Sequence, residues 1–392
     1  MRRVVVTGLG AVSPFGAGVK AYWAGLAAGA CAIRPLTLFA ADGFRCRIAA
    51  EVPELAGGSP RRSRADRLAL GAALEALDDA GLARADRAET AFVAGAVGGG
   101  MLEAEEWYWA RARGERLPGG AAALRAILPG SHAEALGHRL GLGGPRHTVV
   151  TACSSGAVAL AEAAELIADG VVDVAVAGGV DGMTRMCFMG FNALKLLDPE
   201  PCRPFDKDRR GMSIGEGAAF VVLEAAERAR ARGVRVYAEL AGHGMTTDAF
   251  HVTAPEPEGE GMARAMRAAL AAAGVSAADV GYVNAHGTAT PQNDRIEARA
   301  ITRVFGEGRV LVSSTKSMIG HTMAAAGGLE AVATVLTLTQ ELIPPTASLV
   351  TPDPEVTFDC VPRVAREAAV GCAISNSFGF GGQNVTLLFR RA

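Results

Sequence analysis

The stretches 149–170, VVTACSSGAVALAEAAELIADG, and 310–338, VLVSSTKSMIGHTMAAAGGLEAVATVLTL, share one plan. Each has a β-branched run, a hydroxyl-rich turn bearing a reactive type of side chain, and an apolar Ala-rich segment of helical length. A buried strand that feeds a helix through a tight turn belongs to α/β proteins, whose sheets are covered by helices. The plan occurs once in each half of the chain, which predicts a duplicated fold with one site assembled from both halves.

Working outward, short β-branched runs alternate with segments of helical period. Strands are predicted at Arg3–Thr7, Ala91–Ala96, His147–Ala152, Val172–Gly178, Ala218–Glu224, Val236–Gly244, Val280–Ala285, Val310–Ser314, Cys372–Ser377 and Asn384–Arg390. Helices fall between them, among them Arg67–Ala80, Ser155–Asp169, Gly261–Ala273, Arg295–Val304 and Ala326–Glu341. No conspicuous Pro/Gly-rich linker divides the chain, so the halves, 1–233 and 234–392, are expected to form one body.

With 392 residues, half of them apolar, the chain can bury a large core. A net charge of -2 with interspersed signs gives no reason to expect a nucleic-acid or membrane surface, so any binding to a charged partner uses local patches. Gly8, Gly10 and Pro14 interrupt the apolar start, no run approaches the roughly 20 residues of a membrane span, and a cytoplasmic enzyme is the default. Seven cysteines, at 31, 46, 153, 187, 202, 360 and 372, lack CxxC spacing and read as free thiols.

Cys153 ends a strand where a helix begins, so amides and the helix dipole face its sulfur, a setting expected to favour thiolate. His286 ends another strand in YVNAHGTAT, with Gly287 for close approach and the hydroxyls of Thr288 and Thr290. His321 follows Gly320 and lies five residues after Lys316, one of only four lysines among 39 basic residues. Three such residues at three strand ends are where α/β folds build sites. His132 and His138 are too far apart for adjacent helical turns and no HExxH occurs, so no metal site is expected. Gly95–Gly100 lacks the context of a dinucleotide loop and reads as a turn at a close packing contact.

Taken in order, RRVVVTGLGAVSPFG, VVTACSSG, RPFDKDRRGMSIGEGAAFVVLE, YVNAHGTATPQND, SSTKSMIGH and SNSFGFGGQN resemble the β-ketoacyl carrier-protein synthases of the elongating, two-histidine type. The resemblance runs nearly end to end. It implies a thiolase-like fold, duplicated βαβαββ halves in a five-layer αβαβα sandwich, with the nucleophile in the first half and both histidines in the second. It implies Cys153 as acyl acceptor, His286 and His321 as the paired histidines, Lys316 with Glu330 as its ion partner, and Asp294 and Glu297 as an acidic pair. By the same resemblance Phe380 and Phe378 form the gate, the Phe380 and Cys153 amides an oxyanion hole, and Thr288 and Thr290 contact substrate.

The implied reaction is acyl transfer to Cys153, decarboxylation of malonyl carrier protein and Claisen condensation, without metal or redox cofactor. The implied partners are an acyl carrier protein, docked by Arg61, Arg62, Arg64 and Lys195, and a dimer mate that is a second copy or a chain-length-factor homologue. Elongating fatty-acid enzymes commonly read TACTSG where this chain reads TACSSG, and they are longer between the second strand and the nucleophile, the stretch that here is 101–137, where Trp107, Tyr108 and Trp109 cluster. A second reading is therefore a polyketide or polyene ketosynthase, acting alone or only beside a chain-length factor. A third is a non-enzymatic scaffold.

Overall fold

Runs such as VVVTGLGAVS and GAAFVVLEA are buried along their whole length, the mark of strands covered on both faces. The computed structural model describes residues 2–53, 62–116, 122–128 and 130–392. All ten expected strands form: β1 (Val4–Ser13), β2 (Ala91–Ala96), β3 (Arg146–Val149), β4 (Val174–Asp181), β5 (Gly217–Ala225), β6 (Ala238–Thr247), β7 (Tyr282–Asn284), β8 (Leu311–Ser313), β9 (Cys372–Gly379) and β10 (Gln383–Arg390).

Their spatial order is β8-β7-β9-β10-β6-β1-β5-β4-β2-β3. Split between β6 and β1, each half repeats the same sequence of neighbours. In each, the second strand runs parallel to the third and fourth, while the fourth, fifth and first are antiparallel. Among the described residues the two half-sheets pair strand to strand only through Val5 with Glu239 and Val6 with Ala238. Two five-stranded sheets, expected as separate layers, thus share one thin seam.

The principal helices are α1 (Arg64–Asp79), α2 (Met101–Ala112), α3 (Gly130–Leu140), α4 (Ser155–Ala168), α5 (Arg185–Ala193), α6 (Glu260–Ala273), α7 (Pro291–Phe305) and α8 (Ala326–Gln340). One apolar cluster joins both sheets to α4 and α8, a second joins α1 and α3 to the first sheet, and a third joins α6 and α7 to the second. The result is the αβαβα sandwich of a thiolase-like fold. Each half reads βαβαβαββ, one strand and one helix more than the βαβαββ outline, because β3 and β8 each need a crossover helix to run parallel to their neighbours.

Residues 326–338 of α8 are all buried, as befits a helix apolar all round. It meets α4 and β4 backbone to backbone. A Cβ on Gly179 would lie 2.1 Å from the Ala324 carbonyl, and one on Gly156 would lie 2.6 Å from it. A Cβ on Gly95 would lie 2.4 Å from the Ser155 carbonyl carbon at the start of α4, which accounts for a glycine near the end of β2.

Gly179→Ala is expected to destabilise the fold by about 1–3 kcal/mol through overpacking. Gly190→Ala, in α5 with nothing within 4 Å, should instead be neutral or gain about 0.5–1 kcal/mol. Melting curves of the two variants check the contrast.

Candidate active site

β3 stops at Val149 and α4 starts at Ser155, and the connection turns sharply enough to place Ala152 at φ 49°. Such a conformation in a residue with a side chain costs on the order of 1–3 kcal/mol and must be held by its surroundings. The hydroxyls of VVTACSSG hold it: Ser154 Oγ donates to the Thr151 carbonyl at 2.7 Å, Ser155 Oγ donates to the Ala152 carbonyl at 2.6 Å, and the Thr151 amide donates to Ser155 Oγ at 2.9 Å. Cys153 stands at the apex of this turn, 5% exposed.

His286 lies two residues past the end of β7. Glu297, nearly two turns into α7, accepts from the amides of His286 and Gly287 at 2.8 Å each, and Asp294, in its first turn, accepts from those of Ala289 and Phe205. The two carboxylates thus hold the backbone of the His286 loop rather than its ring. Burial pushes Glu297 up to about 7, opposed by the Gly287 amide. Thr288 and Thr290 join hydroxyls at 3.0 Å.

After β8, Lys316 and Glu330 form a buried ion pair, and the Lys316 ammonium sits 3.4 Å from His286 Nδ1. His321 follows Lys316 by five residues in the chain, but the ring the ammonium touches is that of His286, whose loop lies some thirty residues upstream. An ammonium only donates, so His286 Nδ1 is the acceptor and its proton resides on Nε2. The His286 and His321 rings stand edge to face with centroids 5.3 Å apart, and Phe378 lies 5.8 Å from His286.

Cys153, both histidines, Thr288, Thr290, Phe378 and Phe380 line one cavity of about 280 Å³. Burial, then the Lys316 charge, holds both histidines well below 6.5, so both are neutral at pH 7. Burial also pushes the Cys153 thiol up to about 12, although Lys316 and the amides of Phe380 and of Cys153 itself pull it down. The expected thiolate is therefore corrected to a thiol at rest: desolvation outweighs the dipole and amides at the turn.

Of the residues read as docking contacts, Lys195 is exposed and Arg62 lines a groove with Arg84, His138 and Arg139. Arg61 lies outside the described residues. Arg64 turns inward, its guanidinium bonding Glu216 at 2.5 and 2.8 Å and the Val52 carbonyl at 2.6 Å, which removes it from any docking patch. Sequence reasoning missed Phe191, Leu196 and Met212 on the apolar side of the cavity and Asp248, Gln292, Asn293 and Asn384 toward its polar side. Met212, Gln292, Asn293 and Asn384 lie within the quoted motifs but were given no role there, whereas Phe191, Leu196 and Asp248 carry no local signal. It also missed Asp181, a charge at the end of the apolar run VAVAGGVD, which was legible as an anomaly.

Among the described residues no three His, Cys, Asp or Glu side chains converge as metal ligands would, and no helix is long and apolar enough to cross a membrane.

Two family descriptions match the chain: "Beta-ketoacyl synthase, N-terminal domain" over 1–229 and "Beta-ketoacyl synthase, C-terminal domain" over 237–350. The sequence is 42% identical to 3-oxoacyl-[acyl-carrier-protein] synthase 2 of Rhizobium meliloti (strain 1021), covering 100% of this chain and 99% of that protein. The fold is similar to that of the ishigamide ketosynthase/chain length factor, with TM-score 0.95 and 38% identity over 100% of this chain and 99% of the other. It is also similar to a ketosynthase bound to a hexaketide in complex with its type II PKS acyl-carrier protein, with TM-score 0.92, 30% identity and full coverage of both chains.

With its thiol raised by burial, Cys153 should be alkylated by iodoacetamide ever faster as pH rises through 8 to 10.5, where a free thiol near 8.5 has levelled off. Peptide mass spectrometry of the Cys153 adduct follows the rate; a plateau below pH 9 would contradict the assignment.

Proposed function

The chain belongs to the β-ketoacyl synthase family, and from that premise we propose that Cys153 is the acyl acceptor, with His286 and His321 as donors to the malonyl thioester. The chain is a decarboxylating acyltransferase, a 3-oxoacyl-[acyl-carrier-protein] synthase. The observation that carries the assignment of roles is the convergence of one thiol and two neutral, edge-to-face imidazoles on a single buried cavity, backed by the Lys316–Glu330 pair.

In the first half-reaction the Cys153 sulfur attacks the acyl thioester, a carbon–sulfur bond forms, and the carrier thiolate leaves with the Cys153 proton. The amides of Cys153 and Phe380 suit the tetrahedral oxyanion. In the second, malonyl carrier protein loses carbon dioxide, and the electron pair passes into the thioester as an enolate. A neutral imidazole donates to that oxygen without first losing a proton, and the Lys316 contact leaves His286 with Nε2–H for the task. The enolate carbon then attacks the acyl-Cys153 carbonyl, a carbon–carbon bond forms, and the cysteine sulfur is expelled as a thiolate that takes one proton from solvent to restore the resting thiol. Electrons balance without a redox cofactor, and the substrates ride on the phosphopantetheine of the carrier protein.

Acyl carrier proteins are acidic, and Arg62 with Arg84 and Arg139, together with Lys195, supports a docking surface for them. Seven free thiols suit a reducing cytoplasm. We read residues 1–233 and 234–392 as two halves of one catalytic unit. A dimer is supported by large apolar side chains left in water: Tyr108 and Trp109 on α2, 59% and 58% exposed, Met186 and Met189 on α5, and Val150 beyond edge strand β3. A second reading, work beside a chain-length-factor homologue in polyketide or polyene synthesis, is favoured by the similarity to the ishigamide ketosynthase/chain length factor.

Cys153→Ala should abolish condensation while leaving decarboxylation of malonyl carrier protein detectable. His286→Ala or His321→Ala should slow decarboxylation by roughly 10²–10³ and spare acyl transfer to Cys153, as followed by the mass of the acyl-enzyme. Equal loss of both half-reactions in the histidine variants would sink the division of roles.

Joint reversal of Arg62 and Lys195 to Glu should raise KM for carrier-protein substrates roughly tenfold at low salt, an effect that shrinks as salt is added. Turnover of a small pantetheine thioester should not change; an equal defect with both substrates would place these residues outside docking.

A further inference from the structure

Asp181 ends β4 and is 2% exposed. Its carboxylate bonds only main-chain amides among the described residues: Oδ1 accepts from Gly98 at 2.7 Å, Gly99 at 3.2 Å and Val97 at 3.3 Å, and Oδ2 accepts from Ala324 at 2.9 Å. A buried carboxylate without a cation is costly, and a neutral side chain could satisfy some of these amides. Burial does raise its affinity for a proton, and the four amides oppose that rise.

The four donors come from different halves. Val97–Gly99 form the turn after β2, whereas Ala324 belongs to the short turn Met323–Ala325 that directly follows His321 and Thr322. Met323 takes φ 55° and Gly99 φ 49°, so Asp181 joins two backbones that are each strained or permissive. The other side of Ala324 is pinned as well, since its carbonyl abuts Gly179 and Gly156, and Gly156 lies in the first turn of α4, just after Cys153. Upstream, His321 is fixed by its amide donating to the Ser213 carbonyl at 2.7 Å and its carbonyl accepting from Gly215 at 2.9 Å. His321 is therefore held from two sides, by residues 213–215 before it and by the Asp181–Ala324 bond after it.

We infer that Asp181 is a positioning residue for the condensation: by bonding Gly98, Gly99 and Ala324 it holds the His321 turn of the second half against the Cys153 turn of the first. This rests on the reading of His321 as a donor to the malonyl thioester. The charges facing Cys153 are Lys316 and Asp181, with His286 and His321 neutral, and Asp181 opposes the thiolate while Lys316 favours it. Asp181 therefore acts on decarboxylation through the geometry of the His321 turn, and its charge, which opposes the Cys153 thiolate, gives a second readout that mere structural support would not move.

The test uses Asp181→Asn, which keeps the shape and removes the charge, and Asp181→Glu, which keeps the charge and alters the reach. Three quantities are read on the full chain: carbon dioxide release from malonyl carrier protein, the mass of the acyl-Cys153 adduct, and the pH profile of Cys153 alkylation. In Asp181→Asn the single amide oxygen is best used by the three donors Val97, Gly98 and Gly99, which turns the NH2 group toward the Ala324 N–H, so kcat for decarboxylation should fall by roughly 10- to 100-fold, the scale of a displacement on the order of 1 Å. KM and acyl transfer should stay within about threefold of wild type. The alkylation profile should move to lower pH in Asp181→Asn and stay in place in Asp181→Glu, while Asp181→Glu also loses decarboxylation. Wild-type decarboxylation in Asp181→Asn, a parallel fall of both half-reactions, or failure of both variants to fold would each overturn the inference. A wild-type protein that neither acylates Cys153 nor releases carbon dioxide would instead overturn the functional reading, and the alkylation profiles would still judge the influence of Asp181 on Cys153.

Discussion

The molecule depends on the two halves touching backbone to backbone at their centre. Gly156, Gly179, Gly327 and Gly328 lie where α4, α8 and β4 meet, and a Cβ at any of them would fall 2.1–2.6 Å from a main-chain atom of a neighbour. Only glycine allows that approach. The Cys153 turn opens α4 and the His321 turn opens α8, so this contact sets the spacing of the two reactive side chains. A larger residue in the seam would separate them by the size of a methyl group, which is already large on the scale of catalytic geometry.

Bringing the site to the middle of five layers also dries it, and its electrostatics follow. Burial is the first cause of every shift at the centre: it raises Cys153, lowers His286 and His321, and raises Glu330 against the pull of Lys316. A lysine and a glutamate survive there because they pair with each other, while the histidines stay neutral beside the ammonium. A dry cavity also strengthens each hydrogen bond to an oxyanion.

The duplication explains which positions became functional. The turn after β3 carries Cys153 and the matching turn after β8 leads to His321, while the turn after β7 carries His286 and its counterpart after β2 is the glycine turn at Gly95–Gly100. At that fourth position a side chain has been given up for packing: a Cβ on Gly99 would lie 2.3 Å from His132 and one on Gly100 2.3 Å from Ala126. Asp181 then bonds this turn to the far half, so it helps to hold a site to which it contributes no side chain.

The α/β class, the ten strands, the duplication and the candidates Cys153, His286, His321 and Lys316 were legible in the sequence, because they follow from periodicity, turn chemistry and reactive residues at strand ends. Those signals are local, and each lies within some 20 neighbouring residues. Tertiary structure decided the rest. Arg64 reads as a surface charge at a helix start, yet Glu216, 152 positions away, draws it inside. The thiol state of Cys153 turns on how much apolar protein surrounds it, which a dipole argument from one turn does not include. The Lys316 ammonium comes to rest 3.4 Å from His286 Nδ1, and Asp181 bridges two halves, because contacts between distant segments depend on how the sheets stack. A sequence specifies what each segment is; only the packing of one half against the other determines which segments share a cavity, and therefore which charges act on the reacting sulfur.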